Sequence, residues 1–522
     1  MFLKIISIIG SLTFLSRILG YIRDLLIAIS LGASFVSDAF FVAFKLPNLF
    51  RRLFAEGAMN SAFVPVVSEV RIEKGIRESN LFLSEIISII FSFLLPFIII
   101  LEIFMPTVIN LVAPGFIENN EKFLLTIDLT RLTFPFLLFV CLTSLIGGYL
   151  NTLSKFAAMA FTPVILNLSM LSVLLICIIE VSEQKVTAQI LSASISIAGI
   201  IQLVWLIFNL KKNNIDINFR RFFFTFNFKI STNAKKLLKL FVPAALGSGV
   251  YQLNLLIDMI LASTLPDGSI SYLYFADRVN QLPLGVLGIA LSTALLPILS
   301  KQIKSDHKES NYTINHSIQI GIIFSLPAAC GLLVLSETII NVLFVRGQFT
   351  FQDGLLTSKA LQAFSIGLPA FIFVKIFAVI FFARQDTKTP VYIAFFAMLL
   401  NLVLNLVLIK EFFHVGLALA TSIASWFNLL VLFYITKKKG FFRIDRKTIS
   451  VFFKCFISSI IMSIFIKYLH NTDFLNINNF NSIVNNIFTL SALIIFGTIF
   501  YLILLYFFKI FYLLKFKTGE KN

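Results

Sequence analysis

Apolar runs long enough to cross a lipid bilayer recur along the whole chain. Residues 86–100 and 490–508 are two examples, and similar runs alternate with short polar segments elsewhere. A hydrocarbon core of about 30 Å needs about 20 apolar residues of helix. A transmembrane barrel would instead show alternating segments of about ten residues. The pattern therefore predicts an all-α polytopic membrane protein, and it excludes a soluble enzyme and a single-span receptor.

The spacing of these runs predicts about fourteen transmembrane helices. We place the spans at about 5–31, 35–52, 82–110, 123–150, 157–180, 188–210, 240–264, 270–300, 314–344, 355–383, 390–409, 414–436, 449–469 and 486–512. The N-terminal run is counted as the first helix because no convincing signal-peptide cleavage site follows it. The predicted organisation is an N-lobe (1–210, helices 1–6), a cytoplasmic basic linker (211–239), a C-lobe (240–436, helices 7–12) and two extra helices, 13 and 14 (437–522).

The positive charges are distributed as expected for a membrane protein with a cytoplasmic N-terminus. The chain has 43 Lys and Arg residues and a net charge of +17. Most of those outside the spans fall in segments predicted to be cytoplasmic, where basic residues collect. We assign five to the outside: Lys122, Lys185, Arg346, Lys359 and Lys410. The orientation of the chain in the membrane thus accounts for its net positive charge, and a nucleic-acid partner is not needed to explain it. Both termini are predicted to be cytoplasmic.

The two six-helix blocks carry similar residues at a nearly constant separation. The matched positions are Asp24 with Asp258, Lys45 with Arg278, and Pro65 with Pro297. An even number of helices returns the chain to the same side, so the blocks are predicted to be parallel repeats. Transporters built in this way have a central cavity between the repeats. We therefore predict two parallel six-helix repeats around such a cavity.

Charged residues inside the predicted spans are the strongest functional signal. Each costs about 2.5 to 3.5 kcal/mol at a helix centre, so such residues normally face protein or water. They cluster in helices 1, 2 and 8: Arg17, Arg23, Asp24, Asp38, Lys45, Arg51, Arg52, Asp277 and Arg278. The planar guanidinium suits bidentate binding of phosphate. Helices 1, 2, 7 and 8 should line the cavity, and the substrate should be anionic and phosphorylated, unless these charges only form ion pairs between helices.

The positions of the charges on helix 1 constrain how they can act. Arg23 lies about 120° from Arg17 on a helical wheel, so one straight helix cannot aim both at one point. Helix 1 should therefore bend, for example near Gly20, or the arginines should act at different stages. A carboxylate would repel a phosphate, so we expect Asp38 to be a switch partner that pairs with Arg17, Arg23 and Lys45 when the site is empty.

Long motifs in both halves resemble one transporter family. The segment SRILGYIRDLLIA followed by LGASFVSDAFFVAFKLPNLFRRLFAEGAMNSAFVP is the most extensive, and YFADRVNQLPLGVLGIALSTALLP and FFARQDTKTP extend the resemblance. These segments are similar to those of the MurJ/MviN-type lipid II flippases of the MOP exporter superfamily. The resemblance implies a transporter that moves lipid II from the cytoplasmic to the periplasmic leaflet by alternating access. It further implies a role in peptidoglycan synthesis and cell shape, and a place in the bacterial inner membrane.

The resemblance also assigns residues to substrate binding. It implies that four arginines line the cavity and engage the pyrophosphate: Arg17, Arg23, Arg51 and Arg278. It also marks Asp38 as important. The seven-residue spacing of Asp38 and Lys45 favours Arg52 over Arg51, but Pro47 is expected to interrupt that helix. We therefore expect Arg51 to take the main role, with Lys45 and Arg52 as further substrate-binding candidates.

Two other features follow from the resemblance. Glu56 and Gly57 are similar to the family's cytoplasmic gate loop, where a carboxylate could close the cavity by pairing with an arginine. The alternative is an ordinary loop carboxylate. Helices 13 and 14 resemble the family's extra pair, whose groove is thought to hold the polyprenyl tail.

A second group of polar residues is a candidate sodium site. It consists of Asp258, Asn401, Asn405 and Thr421. Hard cations take oxygen ligands. Some members of the family carry a further carboxylate where this chain has Asn405. The alternative is a buried polar network between helices, so Na⁺ is predicted only as a candidate coupling or structural ion.

Other functions fit the sequence less well. A cation-coupled multidrug exporter, or an exporter of another polyprenyl-linked saccharide, could share the architecture, although arginines in the cavity disfavour organic cations. A membrane enzyme acting on polyprenyl phosphates would need an acidic metal-binding loop, and the sequence has none. It also has no nucleotide-binding G-x-x-x-x-G-K-[ST] motif. We therefore expect no enzymatic activity. The expected partners are the undecaprenyl-pyrophosphate-linked disaccharide peptide and membrane lipid, with cell-wall synthesis or divisome proteins as further candidates.

Overall fold

The regular secondary structure of the residues that the structure describes is entirely helical. This computed structural model describes residues 2–52, 59–215, 230–305, 307–472 and 482–510. The helices are α1 (Phe2–Leu31), α2 (Phe35–Arg51), α3 (Asn60–Ile103), α4 (Met105–Val112), α5 (Asn120–Thr133), α6 (Phe136–Thr152), α7 (Phe156–Ala160), α8 (Thr162–Ile179), α9 (Gln184–Lys212), α10 (Thr232–Ser263), α11 (Ser269–Pro283), α12 (Ile289–Ser305), α13 (His307–Phe344), α14 (Phe351–Phe382), α15 (Lys388–Lys438), α16 (Arg446–Asn471) and α17 (Ser482–Phe507). The predicted fold class is confirmed.

Ten stretches of the described residues are long and apolar enough to cross a membrane. One of them, α15, contains two helices because Phe413 leaves helical geometry with φ 49° and ψ −130°. Helices α1, α2 and α10 occupy the three remaining predicted spans, so each of the fourteen predicted spans has a helix. Large apolar side chains are exposed on these helices, as at Ile100, Phe453 and Phe488. Such a surface suits contact with lipid rather than water.

The chain forms two compact units. The first contains Met1–Ser271 and the short segment Arg346–Phe349, and the second contains Tyr272–Val345 and Thr350–Asn522. In the first unit, α5 packs on α2, α8 on α1, and α10 on α3. In the second unit, α14 lies between α13 and α15, and α16 and α17 pack beside α13. This division differs in its boundaries from the predicted lobes, which stay predictions, as do the parallel repeats.

Two helices extend further than the predicted spans or the predicted interruption at Pro47 would suggest. The segment before the third predicted span is helical from Asn60, and the chain turns within it at Gly75, whose φ is 83°. A positive φ at glycine carries no Cβ penalty, so this position can break the helix cheaply. Pro47 does not end α2, which continues to Arg51. A proline late in a helix removes one hydrogen bond, and the packing of α2 against α5 and α6 compensates for that loss.

Two N-caps fix the ends of the helices that carry the site. Ser34 begins α2, where its side chain accepts a hydrogen bond from the backbone of Ser37 while the Ser37 side chain bonds back to Ser34. Asn119 begins α5 and accepts from the backbone N–H of Lys122 at 3.2 Å. Capping side chains of this kind satisfy the otherwise unpaired first amides of a helix. The first turns of α2 and α5 are therefore held firmly.

Candidate functional site

Four charged side chains are buried within the part of the chain that the structure describes. They are Arg23, Asp24, Asp38 and Lys122, with 6%, 0%, 1% and 3% of their surface exposed. All four lie in the first unit, and they form two ion pairs. An unpaired buried charge is strongly unfavourable, so each charge needs a close partner. The two pairs define two separate polar centres.

The first centre surrounds Arg23. Its guanidinium donates from Nε and Nη2 to one oxygen of Asp24, at 3.1 and 2.8 Å. Nη1 donates to Oδ1 of Asn167 on α8 at 2.9 Å, and Asn167 in turn donates to the backbone oxygen of Ser16 at 2.9 Å. The guanidinium carbon also lies 5.5 Å from the ring centre of Phe44. In this conformation the ion pair of Arg23 with Asp24 lies within α1, and the neutral amide of Asn167 links Arg23 to α8.

The second centre surrounds Asp38, and its partners differ from those expected from the sequence. Oδ1 accepts from the backbone N–H and the hydroxyl of Ser271, at 3.0 and 2.7 Å. Oδ2 accepts from the backbone N–H of Gly268 at 2.8 Å and from Nζ of Lys122 at 3.0 Å. Asp38 thus binds the amides at the start of α11. In this conformation its cationic partner is Lys122 rather than an arginine.

Lys122, one of the five basic residues that we assign to the outside, is buried. Its ammonium lies 2.7 Å from Oδ1 of Asp267 and 4.0 Å from the ring centre of Phe116, in addition to its contact with Asp38. Its burial could not be predicted from the charge distribution. The rule for basic residues assigns a side of the membrane, and it says nothing about burial by a partner 84 residues away in the sequence.

The remaining substrate-binding candidates of the first unit are more accessible. Arg17 and Arg52 are exposed, and Lys45 and Arg51 are half-buried. Nε of Arg51 donates to Oδ1 of Asn48 at 3.0 Å, which orients its guanidinium. Arg17 thus differs from Arg23 in exposure, although α1 is a continuous helix through Gly20. The predicted bend of helix 1 near Gly20, and action of the two arginines at different stages, stay predictions.

Arg278 lies in the second unit. It is half-buried on α11, next to Asp277, which accepts a hydrogen bond from Gln281. Helix α11 begins at the amides that bind Asp38 and continues into a π-helical turn at Leu284–Gly288. The gate candidates Glu56 and Gly57 lie outside the described residues.

The candidate sodium residues are only partly collected in one unit. Asn405 donates to Oδ1 of Asn401 at 2.9 Å, and Asn401 donates to the hydroxyl of Thr421 at 3.3 Å. Asp258 belongs to the first unit, where it accepts from Asn254 at 3.2 Å. The second unit therefore supplies three neutral side chains that already bond to one another. Within the described residues, no cluster of three or more His, Cys, Asp or Glu side chains could hold a metal.

The motif FFARQDTKTP forms a tight turn between α14 and α15. Lys439 donates to Oδ2 of Asp386 at 2.8 Å, and Arg384 donates to the backbone oxygen of Phe441 at 3.1 Å. The hydrogen bond from Lys439, supported by the backbone of Thr389, lowers the pKa of Asp386 to about 2. The motif thus connects the turn between α14 and α15 to the turn that follows α15.

Sequence reasoning missed five polar contributors to these centres. They are Asn167, Lys122, Asp267, Gly268 and Ser271. Asn167 could have been found, because an amide inside an otherwise apolar span needs a polar partner. Gly268 acts through its backbone, and such a contact leaves no side-chain signal in the sequence.

Comparison with known proteins places the chain in one family. A family profile described as "Lipid II flippase MurJ" matches residues 27–509. The chain is 43% identical over 434 residues to a "Probable lipid II flippase MurJ" of Rickettsia prowazekii, covering 83% of each chain. It is 40% identical over 434 residues to a protein of the same description from Rhizobium tropici, covering 83% of this chain and 80% of the relative.

Solved structures agree. "Lipid II flippase MurJ, inward closed conformation" superposes with a TM-score of 0.79 at 31% identity, covering 96% of this chain and 98% of that one. An inward-facing multidrug transporter of the MATE family has a TM-score of 0.64 at 14% identity, covering 81% of this chain and 95% of that one, which shows a shared fold alone. The chain belongs to the MurJ lipid II flippase family.

Proposed function

We propose that this protein transports lipid II across the membrane for peptidoglycan synthesis. The observation that carries the proposal is its membership of the flippase family over residues 27–509. The MATE transporters share the fold, but their low identity carries no argument about substrate. A transporter rather than an enzyme also suits a chain whose polar centres lie within long apolar helices.

The substrate's pyrophosphate is the group that the exposed and half-buried arginines would recognise. Arg17 and Arg51 of the first unit and Arg278 of the second each offer a guanidinium, whose planar fork matches two phosphate oxygens. Arg23 differs because Asp24 and Asn167 already occupy its donors. It would become a substrate ligand only in a conformation that breaks these hydrogen bonds.

The proposed mechanism is alternating access, with both termini in the cytoplasm of a bacterial inner membrane. The distribution of basic residues supports this orientation. The membrane potential would supply energy, since it acts on each translocated charge with about 2.3 kcal/mol per 100 mV. A sodium site at Asp258, Asn401, Asn405 and Thr421 stays a prediction, and no transport step is assigned to sodium.

Cysteine labelling tests the orientation independently of transport. A cysteine introduced near the end of α9, for example Asn213→Cys, should react only with a permeant reagent in intact cells. The reference is a cysteine at Val181, on the opposite end of the same hairpin and 87% exposed. Reaction of Asn213→Cys with an impermeant reagent would contradict the orientation.

Complementation tests the function. Expression of this chain should restore growth to a bacterium depleted of its own lipid II flippase. A chain that reaches the membrane in normal amount and leaves the cells unable to grow would contradict the proposal.

A further inference from the structure

Lys122 occupies a position where a lysine is electrostatically unfavourable. It lies in the first turn of α5, after the Asn119 cap. The N-terminus of a helix carries a partial positive charge, which favours carboxylates and disfavours ammonium groups. Burial adds a second cost, because only 3% of the Lys122 surface is exposed. A lysine here needs compensation from specific partners.

The compensation comes from two carboxylates and one ring. Asp38 lies 3.0 Å and Asp267 2.7 Å from the Lys122 ammonium, and the ring centre of Phe116 lies 4.0 Å away. The two carboxylates are not equivalent. Asp38 is 1% exposed, whereas Asp267 is 52% exposed. The pair with Asp267 is screened by water, so the desolvated pair with Asp38 should dominate.

Asp38, in turn, holds the start of α11. Its two oxygens accept from the amides of Gly268 and Ser271 and from the Ser271 hydroxyl. A carboxylate needs a fixed orientation to serve these donors at the same time as an ammonium. The ammonium supplies a fourth hydrogen bond and neutralises the buried charge. Loss of Lys122 would leave the buried Asp38 carboxylate with a negative charge that no ammonium neutralises.

We propose that Lys122 is a positioning residue for transport, which acts through Asp38. By holding and neutralising the Asp38 carboxylate against the first amides of α11, Lys122 stabilises the conformation described here. The role in transport rests on the proposed function, whereas the conformational role does not. Any step that separates Asp38 from Gly268 and Ser271 must also break or reorganise this pair.

Labelling of a buried cysteine tests the proposal without a substrate. Leu31, at the end of α1, is fully buried. A Leu31→Cys reporter, in a chain whose four native cysteines are replaced by serine, should react slowly with a thiol reagent in detergent. Adding Lys122→Met should raise the reaction rate about tenfold or more, because the population of the conformation in which Leu31 is buried falls. Lys122→Arg should restore most of the protection, since it keeps the charge.

Lys185 provides a matched control. It also pairs with an acidic residue, Glu121, and lies 6.0 Å from the ring centre of Phe35, but its side chain is 47% exposed. Lys185→Met should leave the labelling rate unchanged, because exposed pairs contribute little. Equal effects of Lys122→Met and Lys185→Met, or no effect of Lys122→Met, would overturn the proposal.

A double variant separates positioning from simple structural support. If Lys122 acts through Asp38, Asp38→Asn with Lys122→Met should label no faster than Asp38→Asn alone. It should also accumulate better than Lys122→Met alone, because no unpaired charge remains buried. If the increases in labelling rate of the two single variants multiply in the double variant, the proposal is overturned. A double variant that accumulates no better than Lys122→Met would also overturn it. A chain that fails complementation while keeping this labelling pattern would contradict the proposed function and leave the conformational role intact.

Discussion

The Arg23 guanidinium lies 2.9 Å from the side-chain oxygen of Asn167, so a residue of the first helix is bound to one 144 positions later. Asn167 also donates to the backbone oxygen of Ser16, about two turns before Arg23. The amide therefore bridges two points of α1. Arg23 is part of the packing between α1 and α8 as well as a candidate substrate ligand.

Replacement of Asn167 should loosen this packing. Asn167→Leu removes the acceptor of Arg23 and the donor to Ser16, which should cost about 1 to 3 kcal/mol of the free energy of unfolding. Thermal unfolding in detergent measures the change. Ser172→Ala, on the exposed face of the same helix, is the control and should have almost no effect. An unchanged melting temperature for Asn167→Leu would contradict the bridging role.

Arg17 and Arg23 should differ when each is replaced by alanine. Arg17→Ala should abolish transport, because Arg17 is a proposed ligand of the pyrophosphate. It should leave the amount of protein normal, because Arg17 is exposed. Arg23→Ala should also reduce the amount of folded protein, because it leaves Asp24 buried without its guanidinium at a cost of about 3 to 5 kcal/mol. Complementation and quantitative immunoblotting measure the two effects.

A second change distinguishes the two roles of Arg23. Asp24→Asn combined with Arg23→Ala should recover much of the folded protein, since the buried carboxylate charge is removed together with its guanidinium partner. Transport should remain lost if Arg23 also serves the substrate. Recovery of both protein and transport would show that the arginine is purely structural.

Lysine should substitute poorly for the accessible arginines. Arg278→Lys and Arg17→Lys keep the charge but lose the planar, bidentate fork, so transport should fall about tenfold or more without complete loss. The initial rate of lipid II transport in vesicles gives the comparison. Full activity in both lysine variants would show that charge alone is sufficient.

The stability contributed by Asp386 should depend on pH in a defined direction. Its pKa is lowered from 3.8 to about 2 in the folded chain, chiefly by the hydrogen bond from Lys439. The ionised carboxylate therefore stabilises the fold above about pH 3.8, and this contribution is lost as the pH falls through about 2. The side chain is 24% exposed, so the effect at neutral pH should be about 0.5 to 1 kcal/mol.

The comparison that checks this direction is between the wild type and Asp386→Asn. The wild type should melt higher at pH 7, and the difference should shrink between pH 4 and pH 2. Glu69→Gln, which removes an exposed partner of Lys236, is a control with a smaller expected effect. A difference that grows on acidification would contradict the assignment.

Hydropathy predicted the helices well because the bilayer fixes their length. Predicted spans 188–210 and 449–469 correspond to helices Gln184–Lys212 and Arg446–Asn471. The break at Phe413 was placed correctly between two spans, although its backbone strain was not foreseen. The helical start at Asn60 was missed, because the apolar run before Gly75 is too short to indicate a transmembrane span of its own.

The polar centres were only partly predictable. Intramembrane charge singled out Arg23, Asp24 and Asp38, because burial of such groups needs a reason. Their partners depend on tertiary contacts: Lys122 comes from a different helix and Gly268 contributes only its backbone. The family resemblance supplied the substrate, which no spacing of charges could have named.

The most direct measurement is the amount of lipid II on the outer surface of flippase-depleted cells that express this chain. An impermeant enzyme that cleaves lipid II reads out the exposed fraction. The wild-type chain should restore cleavage, whereas Arg17→Ala, at equal protein level, should not. Lipid II that stays protected in cells with normal amounts of the wild-type chain, or equal exposure with Arg17→Ala, would contradict arginine-dependent flipping of lipid II by this protein.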